Sequence, residues 1–189
     1  MHSRSPLMHN HWMQQHQMAG AYVPLAIAPE GLAAALHSLK PLGFAGCNLT
    51  IPHKQTAMLI VDEVVHAAQR IGAISCVTVR ADGSLLGSNN DAAGFIRNLK
   101  EAQPGWRADK GPIVVIGAGG GSRAVCYGLM QEGAQEIRLV NRHLERAQQL
   151  AADFGVPIQA YPWSQRNDIL ADAALVVNTT SQGMVGQTA

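Results

Sequence analysis

Apolar and polar positions follow two rhythms along this chain, and the change falls near residue 103. Before it, short segments of both kinds succeed one another. Residues 6–17 read as a helix and residues 21–26 as a short strand. Residues 29–39 open on a proline and carry Leu32, Leu36 and Leu39 on one stripe, the spacing of a helix that buries a single face. Residues 47–51 read as a strand, and residues 54–68 as a helix that stops before Gly72. Residues 74–79 and 84–87 flank Asp82-Gly83, a pair that favours a hairpin turn. Residues 92–102 are helical and lead into the second half.

The stretch 103–111 is polar and holds Pro104, Gly105 and Gly111, which marks a break. Beyond it, Ile113-Val114-Val115-Ile116 is a β-branched run of the kind that parallel sheets bury on both faces. A glycine cluster, a helix over 122–131, a strand over 136–140, a helix over 144–154, a strand over 156–160, a helix over 164–170 and a strand over 174–178 complete the pattern. That alternation predicts an α/β fold: a small α/β domain over residues 1–91, then a doubly wound, Rossmann-type domain over residues 92–189.

Composition narrows the classes of function. Of 189 residues, 47% are apolar and 14% charged, which suits a folded enzyme and not a disordered chain. The formal net charge is +1 and no basic stripe is present, so nucleic acid is not an expected partner. Apolar runs are interrupted well before bilayer-spanning length, and the first residues lack a secretory pattern, so no membrane association is expected. Cys47, Cys76 and Cys126 lie far apart in apolar surroundings, as reduced core thiols of a cytoplasmic protein would. Eight histidines include His9, His11 and His16 near the start, but their spacing does not converge on one helix face, so no metal site is expected.

The candidate chemistry starts at Gly117-Ala118-Gly119-Gly120-Gly121, between a buried strand and a helix. Glycines permit a tight turn there, backbone N–H groups can approach a pyrophosphate, and the helix N-terminus favours its charge. Ser122 stands at the third glycine of the usual fingerprint. The next strand ends in Asn141-Arg142-His143, with Arg146 four residues after Arg142. An NAD site places an acidic residue at this strand end for the ribose 2′-hydroxyl; a neutral Asn141 beside Arg142 instead suits a 2′-phosphate, so NADP is the expected cofactor.

These segments, with His2-Ser3-Arg4-Ser5-Pro6, Asn48-Leu49-Thr50-Ile51-Pro52-His53-Lys54, Asn89-Asn90-Asp91 and Asn178-Thr179-Thr180-Ser181-Gln182-Gly183-Met184, resemble the motifs of the shikimate dehydrogenase family over residues 2–186. The resemblance implies NADP-dependent, reversible reduction of 3-dehydroshikimate in a cleft between a substrate domain and a nucleotide domain. It implies that Ser3 and Ser5 hold the substrate carboxylate, that Thr50 meets the ring hydroxyls, and that Lys54 gives and takes the proton beside Asp91; Asn48 is a candidate either for substrate contact or for a bond within its own turn. Met184 joins Gly117–Gly121, Asn141, Arg142, His143 and Arg146 on the cofactor side. Hydride delivery to a ketone builds negative charge on oxygen, which a nearby cation able to donate a proton answers.

The chain departs from the family pattern in four places. Ser75 stands where the family has an Asn that contacts substrate, and His143 where it has a Thr. Set against that pattern the chain looks cut at both ends: a strand ahead of Ser3 is missing, as is a stretch beyond residue 189 from which a Tyr and a Gln reach the substrate. A quinate or aminoshikimate dehydrogenase of the same family, and a ligand-binding module without turnover, remain as alternatives. The oligomeric state is left open.

Overall fold

In the computed structural model, which describes residues 3–183, the chain builds two four-stranded sheets bridged by one helix. The first sheet contains β1 (Gly46–Asn48), β2 (Glu63–Val64), β3 (Cys76–Val79) and β4 (Leu85–Ser88) in the order β1-β3-β4-β2. The hairpin between β3 and β4 is antiparallel, with Val79 opposite Leu85. Its turn forms because Gly83 takes a φ of +96° and the Asp82 carboxylate accepts both the N–H and the O–H of Ser84, at 2.9 and 2.8 Å. Around this sheet lie α1 (Ser5–Gln15), α2 (Leu32–His37) and α3 (His66–Ile71). The leucine stripe is buried as its spacing predicts: Leu32, Leu36 and Leu39 pack with Ala57, Ala68, Ile74, Val77 and Leu85.

Two expectations for this half fail. Residues 21–26 form no strand. Pro24 has no N–H for a ladder, and the Asn10 side chain takes both backbone groups of Tyr22, accepting its N–H at 2.7 Å and donating to its carbonyl at 3.0 Å. Residues 54–68 are not one helix either. The segment passes through a 3-10 turn at Thr56–Leu59, then β2, and only then α3. Pairing across the sheet overrides the local apolar period: the Asp62 N–H donates to the Leu85 carbonyl at 3.0 Å, the Leu85 N–H to the Asp62 carboxylate at 2.7 Å, and the Val65 N–H to the Gly87 carbonyl at 3.0 Å.

The second sheet contains β5 (Ile113–Ile116), β6 (Ile137–Val140), β7 (Ile158–Tyr161) and β8 (Leu175–Asn178), all parallel, in the order β7-β6-β5-β8. Its crossovers are α5 (Gly120–Gln131), α6 (Leu144–Phe154) and α7 (Arg166–Leu170). Ile113, Val114 and Val115 are almost fully buried, as the β-branched run predicts. β7 begins at Ile158 and not at residue 156, because Pro157 can offer only its carbonyl, which accepts the Ile137 N–H. Strand order reverses at β5, so a crevice opens past the carboxyl ends of β5 and β8.

The bridging helix is α4 (Asp91–Ala102), which packs along α5. The approach is so close that a Cβ on Gly128 would stand 2.9 Å from Ile96 Cγ1 and 3.3 Å from the Ala92 carbonyl oxygen. Ile71 and Ala73 from the first half, Ala92 from α4 and Ala124 from α5 form a small buried cluster where the halves meet, with Tyr127 against it.

Candidate active site

The crevice is a cleft of about 760 Å³, lined on one side by Ile51, Pro52, Lys54 and Gln55 and on the other by the glycine turn and the ends of β6 and β8. Gly117 turns the chain at the end of β5 with φ +112°, and a Cβ there would stand 2.5 Å from Thr179 Oγ1. Gly119 and Gly121 face open space, so a bulky ligand can approach the backbone. The first-turn N–H groups of α5 have no partner within the helix and carry its positive end.

The turn is pinned by a relay of hydroxyls. The Gly119 N–H donates to Ser122 Oγ at 3.1 Å, Ser122 Oγ lies 2.6 Å from Thr179 Oγ1, and Thr179 Oγ1 donates to the Ile116 carbonyl at 2.7 Å. Since Thr179 spends its proton on Ile116, Ser122 must donate to Thr179. Ser122 is wholly buried, and its hydroxyl is what the serine adds at the fingerprint's third glycine.

Asn141, Arg142 and Arg146 line the same cleft past β6. Asn141 Nδ2 donates to the His143 carbonyl at 2.9 Å, which shapes the corner into α6 and leaves both guanidinium groups on the cleft side. His143 is exposed at the N-cap of α6 and is not among the cleft-lining residues. Two arginines, with no carboxylate among the described residues that line the cleft, fit a phosphorylated ribose. Met184 lies outside the described residues.

On the opposite wall Lys54 Nζ donates to Asp91 Oδ2 at 2.5 Å, joining residues from a turn and from the first position of α4. The side chains are 18% and 34% exposed; Lys54 lines the cleft, and Asp91 stands behind it, not among the lining residues. The apolar period puts Lys54 at a helix start; the structure puts it in the turn ahead of the 3-10 segment instead. A Cβ on Gly120 would stand 3.3 Å from Lys54 Cβ, which places the glycine turn in contact with this lysine.

The remaining sequence candidates, Ser3, Ser5, Asn48, Thr50 and Ser75, are not among the residues that line this cleft. Ser3 Oγ accepts the Ser5 N–H at 3.3 Å, and Ser5 starts α1. Tyr22, which no local pattern singles out, donates its hydroxyl to Asn48 Oδ1 at 3.1 Å and also meets the Ser5 side chain. Partial burial pushes the Tyr22 phenol above its ordinary value, against the bond from Ser5, so it stays a donor at neutral pH. The His9 ring stacks on it at 4.4 Å. With Oδ1 accepting from Tyr22, the Asn48 side-chain amide nitrogen donates to no side chain or carbonyl among the described residues. Thr50 is exposed at the end of this segment. Ser75 is 5% exposed, and its hydroxyl accepts the Asn90 N–H at 3.1 Å, at the start of α4.

A second hollow of about 630 Å³ runs along α3, α4 and α5, but its charged side chains are paired, Arg97 with Glu101 and Lys100 with Glu132. Trp163, like Tyr22, escapes the sequence reading although it lines the main cleft; Thr179–Gln182, which the sequence marks as part of a motif without assigning a role, line it too. Among the described residues, no helix is long and apolar enough to cross a membrane.

Comparison with known proteins agrees with the two-domain fold. Residues 1–77 match the family described as shikimate dehydrogenase substrate binding domain, and residues 100–185 the family described as shikimate / quinate 5-dehydrogenase. The chain is 50% identical to the NADP(+) shikimate dehydrogenase of Paramagnetospirillum magneticum over 98% of its own length and 67% of that protein's. It thus spans about two thirds of the length of such relatives. The crystal structure of shikimate dehydrogenase from Aquifex aeolicus is similar with a TM-score of 0.87 and 34% identity, covering 100% of this chain and 68% of that one. The Thermus thermophilus shikimate 5-dehydrogenase, in complex with NADP(H) and shikimate, is similar with a TM-score of 0.81 and 36% identity, covering 95% of this chain and 64% of that one.

Proposed function

Because this chain belongs to the shikimate dehydrogenase family, we propose that it reduces 3-dehydroshikimate to shikimate, reversibly and with NADP(H), in the cleft between its two sheets. Residues 1–91 serve the substrate and residues 92–189 the nucleotide. The observation that carries the reading is the Lys54–Asp91 pair at 2.5 Å, with Lys54 on the wall of the cleft that the glycine turn and the two arginines also line.

NADPH supplies the hydride. The protein's own residues do the rest. Gly117–Gly121 and the first turn of α5 bind the pyrophosphate; Arg142 and Arg146, with Asn141 and His143 shaping the corner, take the 2′-phosphate. Ser3 and Ser5 hold the substrate carboxylate, and Asn48 and Thr50 its ring hydroxyls. As the carbonyl carbon gains the hydride, its oxygen takes a proton from Lys54 Nζ, and the amine is reprotonated from solvent. Asp91 keeps the ammonium in place and accepts a substrate hydroxyl. In the oxidation direction the neutral amine accepts the hydroxyl proton. The three free thiols support a reducing, cytoplasmic setting: burial pushes Cys126 up to about 12, and burial with the neighbouring Cys76 pushes Cys47 up to about 11, which leaves both unreactive.

The test is the nicotinamide absorbance on mixing the protein with shikimate and NADP+. Turnover is expected, and Lys54→Met should lower kcat by roughly 10²–10⁴ while NADP+ still binds. Saturable binding of both ligands without turnover, or a Lys54→Met variant with wild-type kcat, overturns the reading.

A further inference from the structure

Resting on that reading, we propose that Arg123 is a positioning residue that holds the Lys54–Asp91 pair against the nucleotide half. Arg123 lies in the first turn of α5, the turn that opens at the glycine cluster. A cation is out of place there, because the positive end of a helix favours anions. Its side chain is only 11% exposed. It is not among the residues that line the cleft. It leaves its own half and donates from Nε to the Ile71 carbonyl at 2.5 Å, at the C-terminus of α3. Nη1 donates to Asp153 at 2.7 Å, and the guanidinium lies 5.3 Å from the centre of the Phe154 ring. Burial favours the neutral acid at Asp153, but the bonds from Arg123 and Gln149 outweigh it and hold the carboxyl below its ordinary value. Gly72 completes the seat: it takes φ +72°, and a Cβ there would meet Arg123 Nη2 at 2.6 Å.

What Arg123 grips is the strip of backbone to which both reacting groups are tied. Three residues past Ile71, the Ile74 N–H donates to the Lys54 carbonyl at 2.8 Å. The Ala73 carbonyl accepts Asn89 Nδ2 at 2.9 Å, and Asn89 Oδ1 accepts the Asp91 N–H at 2.9 Å. Ser75 Oγ accepts the Asn90 N–H. Residues 71–75 are therefore bonded to Lys54 on one side and to the start of α4 on the other. Arg123 fastens that strip to the helix whose first turn faces the pyrophosphate. A displacement of about 1 Å between reacting groups can cost on the order of 10² in rate. Arg123 thus acts on the chemistry through backbone, touching neither substrate nor cofactor.

The test uses the full chain with Arg123→Gln, Arg123→Lys and Asp153→Asn. For each, kcat and KM for shikimate, NADP+ affinity by calorimetry and amide exchange over residues 71–75 are measured. Arg123→Gln should lower kcat about 10²-fold with NADP+ affinity within about twofold of wild type. Arg123→Lys should recover part of kcat, since an ammonium can still donate to Ile71. Asp153→Asn keeps the cation, folds, and should show a smaller loss in the same direction. The Ile74 amide should exchange faster in Arg123→Gln. Wild-type kcat in Arg123→Gln overturns the proposal, and so does unchanged exchange at Ile74. A loss of kcat and NADP+ affinity together, without recovery by lysine, also overturns it, because that is general unfolding. Faster exchange at Ile74 in a protein that binds NADP+ but never turns over shikimate supports the strap and refutes the enzymatic reading instead.

Discussion

Replacing Ser122 by glycine would give the dinucleotide fingerprint its usual third residue, and a reading of the motif alone expects the change to be harmless. The structure predicts a cost. Ser122 is wholly buried and stands in the middle of a relay from the Gly119 N–H to the Ile116 carbonyl. Removing its hydroxyl deletes two hydrogen bonds, each worth about 1 kcal/mol net. Ser122→Ala should therefore lose about 2 kcal/mol, or roughly 4–8 °C in Tm for a chain of this size. Ser122→Gly should lose about 0.5–1 kcal/mol more, from the flexibility of glycine in a helix. Thr179→Val breaks the same relay one step on. If the relay is one unit, the double variant should lose less than the two single losses added, with a coupling of roughly 0.5–3 kcal/mol. Thermal melts of the four proteins, with calorimetry for NADP+, measure all of this. A Ser122→Ala protein that melts with the wild type, or strictly additive losses, would show that the hydroxyls do not pin the turn.

Arg142→Ala should weaken NADP+ by about 1.5–3 kcal/mol and leave NAD+ nearly unchanged, since only the former presents a 2′-phosphate; equal losses in paired titrations would remove Arg142 from cofactor choice. Ser75→Ala should cost about 0.5–1.5 kcal/mol in stability through the orphaned Asn90 N–H, with shikimate affinity changing little; the reverse outcome, a wild-type melt with a weakened KM, would make Ser75 a ligand contact. Asp153 titrates below its ordinary 3.8 in the folded chain, so its contribution to stability is complete above that pH and is lost as the pH falls through the lower folded value. The Tm difference between wild type and Asp153→Asn should accordingly shrink in acid below 3.8; a pH-independent difference would show that the Arg123 bond does not depend on the charge.

What could be read from the sequence is what local spacing controls. Ile113–Ile116 and Leu144–Phe154 fall where the sequence places them, since a buried β-branched run and a clean amphipathic helix each leave one solution. Residues 54–68 also carry a helical apolar period, but Asp62 and Val65 are claimed by Leu85 and Gly87 more than twenty residues away, and nothing local announces such a partner. The site divides in the same way. Motifs name Lys54 and Asp91, 37 residues apart, and the fold brings them into contact. Tyr22 gives no sign, because its role comes from Asn10 holding its backbone and Asn48 receiving its hydroxyl. Arg123 leaves one clue, a positive charge at the wrong end of a helix, which no motif flags.

The close seating of α4 on α5 bears on how this protein could be recombined. The polar stretch 103–111 is the obvious splice point for exchanging one nucleotide half for another. A graft made there would leave Ala92 and Ile96 facing a foreign helix, and any residue larger than glycine at 128 would drive into Ile96. The displaced helix would carry Asp91 with it. The unit that can be exchanged intact therefore begins ahead of α4, between Ser88 at the end of β4 and Asp91, and the incoming half must carry its own carboxylate at the first position of that helix. Shuffling between relatives should succeed at that joint and fail at the more inviting one.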